Sequence, residues 1–149
     1  MRWVLGVAVA TVAWLGSVFV GPGPACACSC AALAPESVVQ QASLIVIGTP
    51  VSASQSGADV RYEVDVVRSY KQAVPQRITV FSPFTSAACG VDPELGIERI
   101  LVLRGSDGVW SADLCGNLNV TADTLHFAGA PIAPIESAQR LRAASSAVC

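Results

Sequence analysis

Three residues near the start of the chain, Cys28-Ser29-Cys30, carry its strongest chemical signal. Directly before them, Ala25-Cys26-Ala27 has the small-x-small form of a leader-peptide cleavage site, placed after an apolar run and a Gly21-Pro22-Gly23-Pro24 break. Cutting after Ala27 would make Cys28 the first residue of the mature protein. An α-amine, a carbonyl oxygen and a disulfide-capable side chain would then lie within one residue. Such a group can chelate a metal ion held in the active site of another protein. An ordinary α-amine, titrating at about 7.7–8.0, is sufficiently unprotonated at neutral pH to bind.

The remaining reactive residue types form no catalytic constellation. His126 is the single histidine, beside Phe127, so neither a two-histidine metal site nor a nucleophile–histidine–acid set can be built around a second one. None of the serines lies in a Gly-x-Ser-x-Gly elbow. Asp92 and Glu94 flank Pro93 without a supporting partner, and Asp107 sits in Gly105-Ser106-Asp107-Gly108, where turn chemistry accounts for it. Tyr70-Lys71, Arg77 and Trp110 are the residues from which an oligonucleotide-binding face would be made. The expectation is a protein that is not an enzyme and needs no cofactor and no metal of its own. A soft-metal thiolate site at Cys26, Cys28 and Cys30 is the competing use of these cysteines, should cleavage fall earlier.

Charge argues against nucleic acid as a partner. Of nine basic residues Arg2 lies in the leader, and the eight that remain face eleven acidic ones, a net charge of −3 with no Lys/Arg cluster. Residues 1–27 read as a signal peptide, with Trp3 to Val20 as its apolar segment. Retained, that segment is long enough to anchor the chain in a membrane; the Gly-Pro break favours cleavage. Lipidation at Cys26 is disfavoured because Gly23-Pro24-Ala25 lacks the large aliphatic residue of a lipobox. The expected location is extracellular. Removal of 27 of the 149 residues leaves 122, enough for one domain, residues 28–149. Five cysteines remain in it: Cys28, Cys30, Cys89, Cys115 and Cys149. In an exported domain of this size they are expected to form disulfides. An odd number leaves one over, and Cys149 is the candidate for a dimer-forming thiol.

The elements that must position Cys28 are mostly strands. Pro35 to Ala42 reads as a short helix with proline in its first turn and Val38-Val39 as its apolar contribution. Ser43 to Thr49 reads as a buried strand through Leu44-Ile45-Val46-Ile47, and Ser52 to Gly57 as a loop. From Val60 to Arg68, Val60, Tyr62, Val64 and Val66 alternate with Arg61, Glu63 and Asp65, the period of a half-buried strand. Further strands are expected at Arg77–Phe81, Ile97–Arg104 and Val109–Leu114, the last with Trp110, Ala112 and Leu114 on one side. A long connection, Ser82 to Gly96, carries Cys89. A C-terminal extension, about residues 131–147, contains a predicted helix from Ile135 to Ala144. The fold class is mainly β: five strands, about residues 43–116, closing into a barrel of the OB type with one or two short flanking helices. Composition and periodicity leave a β-sandwich open beside it.

The order of these features resembles the N-terminal inhibitory domain of the tissue inhibitors of metalloproteinases, within the netrin-like group. The residues that carry the resemblance are the Cys28-Ser29-Cys30 start, the proline-bearing short helix, Ala42-Ser43-Leu44-Ile45-Val46-Ile47-Gly48-Thr49-Pro50, Cys89-Gly90 and Leu114-Cys115. It covers about Cys28 to Asn117. It implies a five-stranded OB-type barrel stapled by bridges from Cys28 to Cys89 and from Cys30 to Cys115, each contributing about 4 kcal/mol in the chain-entropy treatment. It implies that the partner is a zinc metalloproteinase, whose catalytic zinc takes the amine and carbonyl of Cys28 while Ser29 enters the specificity pocket. The sequence departs from the family in having no cysteine near Gln40, no second cysteine-bearing domain and a short Ser52–Gly57 loop. The alternative reading is a netrin-like extracellular binding module that inhibits nothing.

Overall fold

In the computed structural model the described residues are 28–136. The expected leader, residues 1–27, most of the Ile135–Ala144 helix and Cys149 lie outside them. The elements are α1 (Pro35–Gln41), β1 (Leu44–Ser56), β2 (Asp59–Tyr70), β3 (Arg77–Pro83), β4 (Arg99–Ser106), β5 (Val109–Ser111) and α2 (Leu114–Asn117). A 3-10 turn follows at Ala122–Ala128. The strands close into a barrel in the order β1-β2-β3-β5-β4. All neighbours are antiparallel except β3 and β5, which pair in parallel through Val80–Trp110 and Phe81–Ser111. This is the closed five-stranded barrel of OB type expected from the sequence.

Alternation along the strands builds the inside. Leu44, Val46, Tyr62, Val64, Val66, Ile78, Val80, Leu101, Leu103, Trp110 and Ala112 point inward and form one buried cluster. Leu44-Ile45-Val46-Ile47 is continuously apolar because β1 is covered on both faces. Ile45 and Val102 face outward, under Val38 and Val39 of α1 and Leu125 of the 3-10 turn, in a second buried cluster. Lys71 fixes α1 to the barrel: its ammonium donates to the carbonyls of Gln40 at 2.9 Å and Ala42 at 2.6 Å, groups the end of a helix leaves without partners.

Several boundaries differ from those expected. Most of the Ser52–Gly57 stretch is not a loop: Ser52 to Ser56 form the outer part of β1, paired with β2 as far as Ser56–Asp59, and only Gly57 lies in the turn. The side chains of Ser52 to Ser56 are exposed because this part of β1 runs on beyond its pairing with β4, which ends at Gly48–Arg99, and keeps only β2 as a neighbour. The β1 register shifts at Ile47/Gly48 and Pro50/Ser52. Gly48 is required there, since a Cβ would stand 2.6 Å from the Asp65 carbonyl oxygen. The last strand stops at Ser111 rather than Leu114, because Asp113 caps a new helix: its carboxylate accepts the Gly116 amide at 2.8 Å. Ile135, expected to begin a helix, instead forms a bridge to Pro75, its amide donating to the Val74 carbonyl at 2.7 Å. That bridge is parallel; Ile132 forms an antiparallel one with Ser69, each amide donating to the other's carbonyl, so residues 132–135 run beside the end of β2 and the turn that follows it.

Candidate functional site

Cys28, Ser29 and Cys30 meet two segments that the barrel brings together. The first is the connection after β3. Thr85 caps a 3-10 turn at Ser86–Ala88, its hydroxyl accepting the Ala88 amide at 3.2 Å. Cys89 ends that turn in the left-handed region, φ 63°. Gly90 then packs so tightly that a Cβ would lie 1.8 Å from the Pro83 carbonyl oxygen. Farther on, the buried Ser82 hydroxyl accepts the Val91 amide at 2.8 Å, and Tyr62 donates to Asp92 at 3.3 Å. Burial, and then the Asp92 carboxylate, push the Tyr62 phenol above its ordinary value.

The second segment is α2. Asn117 holds it to β4 by imitating a strand partner. Its side-chain oxygen accepts the Val102 amide at 2.8 Å, and its amide nitrogen donates to the carbonyls of Val102 at 3.0 Å and Asp113 at 2.8 Å. The Leu114 amide donates to the Cys89 carbonyl at 2.7 Å and joins the two segments directly.

Onto this platform the N-terminal segment is bonded twice, Cys28 to Cys89 and Cys30 to Cys115. These are the two pairings implied by the resemblance. The bridges also touch each other. The Cys28 sulfur lies 3.7 Å from that of Cys115 and 3.9 Å from that of Cys30, and the Cys115 and Cys89 sulfurs are 4.0 Å apart. Cys28 and Cys30 are half-buried while Ser29 between them is exposed. Beside Cys89 is a shallow depression lined by Phe84, Thr85, Ser86, Gly90, Val91 and Asp92. Phe84 is 58% exposed, and its amide donates to the Ala58 carbonyl at the tip of the β1–β2 ribbon.

The other candidate residues are scattered. Trp110 and Tyr70 are buried, Lys71 is engaged with α1, and Arg77 forms a two-pronged pair with Asp65 at 2.6 and 2.9 Å. His126 is exposed, packed against Phe127 at 3.9 Å between ring centres, with Nδ1 2.6 Å from the Asp123 carbonyl oxygen. Asp107 occupies a left-handed turn position and accepts from the Ser106 hydroxyl. Asp92 serves Tyr62, while Glu94 is exposed. Sequence reasoning missed Asp113 and Asn117, which set the Cys115 position. An Asp directly before Leu114-Cys115-Gly116 was the available signal, as a helix N-cap.

Two disulfides are the chemistry of an oxidising compartment. Among the described residues no helix is long and apolar enough to cross a membrane. No known protein-family model matches the chain, and comparison with curated proteins finds no relative.

Proposed function

We propose that this protein is an exported inhibitor of zinc metalloproteinases, acting through its mature N-terminus and not as an enzyme. The observation that carries this reading is the double anchoring of Cys28 and Cys30 onto Cys89 and Cys115, with Ser29 left exposed between them. Once processing frees the amine of Cys28, that amine and the Cys28 carbonyl oxygen form a five-membered chelate with a zinc ion. They take the open position that a catalytic zinc keeps for water. Ser29, exposed between the two cysteines, enters the protease's adjoining pocket, and its small hydroxyl side chain suits a narrow opening. Two bridges lower the ordering cost of docking, since the segment is already held in place before it meets the protease. The exposed Phe84 and the depression beside Cys89 offer a neighbouring surface for the rim of the partner's cleft.

Intact mass and N-terminal sequencing of the naturally exported protein, followed by assay against a panel of zinc metalloproteinases, test this reading. The expected result is a chain that begins at Cys28, carries both bridges and inhibits at least one of these enzymes. A chain that begins at Cys26 or earlier, or one that begins at Cys28 and inhibits none, favours the non-inhibitory binding module instead.

A further inference from the structure

β1 is paired on both sides only along its first part. β4 accompanies it from Leu44 to Gly48, and the Pro50 carbonyl then accepts the Gly96 amide at 2.8 Å. From Val51 to Ser56 it keeps β2 on one side, and among the described residues nothing pairs with the other. The register with β2 is unbroken from Ser52–Glu63 to Ser56–Asp59. This stretch is therefore a regular strand with an open row of amides and carbonyls along one edge.

Such edges are usually guarded by charge or proline, because another strand can add to them. This one is unguarded: Val51-Ser52-Ala53-Ser54-Gln55-Ser56 holds no charge, every residue of it is exposed, and the buried Pro50 comes before it. The composition also bears on the occupant. When a strand pairs antiparallel with its own copy about a two-fold axis, the residue on the axis meets itself and its neighbours meet in reverse order. A charge on that axis would face a like charge, which is destabilising. Centred on Ser54, the pairing sets Ser54 against Ser54, Ala53 against Gln55 and Ser52 against Ser56, all neutral. The charges of the ribbon, Asp59, Arg61 and Glu63, stand one strand farther out on β2, where Arg61 and Glu63 pair at 2.6 Å. Apolar surface lies at the base of the same edge. The Gly96–Pro50 hydrogen bond sets Leu95 and Ile97 beside its start, and Val51, Leu95 and Ile97 are 41%, 49% and 52% exposed. In the reversed arrangement the ribbon tip of the second copy arrives there.

We infer that two copies of this chain join through β1, with Ser52–Ser56 of each paired antiparallel about a two-fold axis at Ser54. The two ribbons then form one continuous sheet in the order β2-β1-β1-β2. The inference stands apart from the protease reading, since it uses no residue of Cys28-Ser29-Cys30.

The test uses the naturally exported protein carrying Cys149→Ser, so that no bond through that thiol links two chains. Sedimentation velocity over a range of concentrations is expected to show a reversible dimer. Adding Ser54→Lys or Ser54→Asp should give monomers with unchanged circular dichroism and thermal midpoint, because each sets like charges against each other on the axis. Mixed in equal amounts, the two variants should form a dimer again. A parent that stays monomeric, a Ser54→Lys variant that associates as the parent does, or a mixture that stays monomeric would overturn the inference. A monomeric parent whose inhibition of a metalloproteinase is weakened by Ser54→Lys would overturn it too, and would assign the edge to that protease.

Discussion

The amide of Leu114 donates to the carbonyl of Cys89 at 2.7 Å, so the two segments that hold Cys28 and Cys30 by disulfides are also hydrogen-bonded to each other through backbone. Cys89 comes from the connection between β3 and β4, and Cys115 from the helix after β5. The parallel β3–β5 pairing that completes the barrel brings them side by side. Barrel closure is therefore what makes the Cys28-Ser29-Cys30 ridge a single rigid object.

Removing the second bridge should separate its stabilising role from the first. The Cys30→Ser/Cys115→Ser protein is expected to lose about 4 kcal/mol against urea, from a closed loop spanning 85 residues. Amide exchange in Ala31–Ala34 should speed up, while β1 and β2 keep their protection. Equal loss of protection in the strands would show that the bridge holds the barrel itself.

Two glycines make a contrast. Gly90→Ala places a methyl 1.8 Å from the Pro83 carbonyl oxygen and must displace the Cys89 turn. Its expected cost is about 3 kcal/mol, at the upper end of ordinary single substitutions. Gly57→Ala meets no neighbouring atom and suffers only its left-handed backbone, φ 66°, for about 1 kcal/mol. Denaturant midpoints of the two variants check the order.

Asn117→Ala removes three hydrogen bonds and leaves both polar groups of Val102 without their partner. A loss of about 2 kcal/mol is expected. Because α2 carries Cys115, the same variant should re-form its Cys30–Cys115 bridge more slowly after reduction. Mass spectrometry of alkylated intermediates measures that rate.

Stability should fall at alkaline pH in a way that depends on Tyr62. Burial and Asp92 raise its folded-state pKa, so the folded chain holds the phenolic proton more tightly than the unfolded chain. That contribution is complete below the ordinary phenol value of about 10 and is lost as pH rises through the higher folded value. Urea midpoints measured across this range should decline in the native protein, and less in Tyr62→Phe. An identical decline in both would assign the effect elsewhere.

The barrel was legible because most of its strands carry inward-facing apolar residues at every second position, as Tyr62, Val64 and Val66 do in β2. Where that signal fails, so did the reading. The outer half of β1, Val51 to Ser56, runs on beyond its pairing with β4 and has no buried face to mark it as a strand. The end of β5 was hidden because Ala112, between the last strand residue Ser111 and the helix cap at Asp113, is still buried and so continues the alternation past the strand. The cysteine pairing was a different case. Spacing alone permits three pairings of four cysteines, and the correct one came from a resemblance. The contact between the two bridges was not readable at all, since it depends on where closure places Cys115 relative to Cys89.

One comparison bears most directly on the proposed mechanism: inhibition of a responsive zinc metalloproteinase by the chain that begins at Cys28 and by the same chain with a single alanine added before it. Both bridges and the barrel are the same in the two proteins, and only the position of the amine changes. Loss of inhibition in the extended protein, with its stability unchanged, is the predicted result. Equal inhibition by both would contradict chelation by Cys28 and move the interaction to another surface.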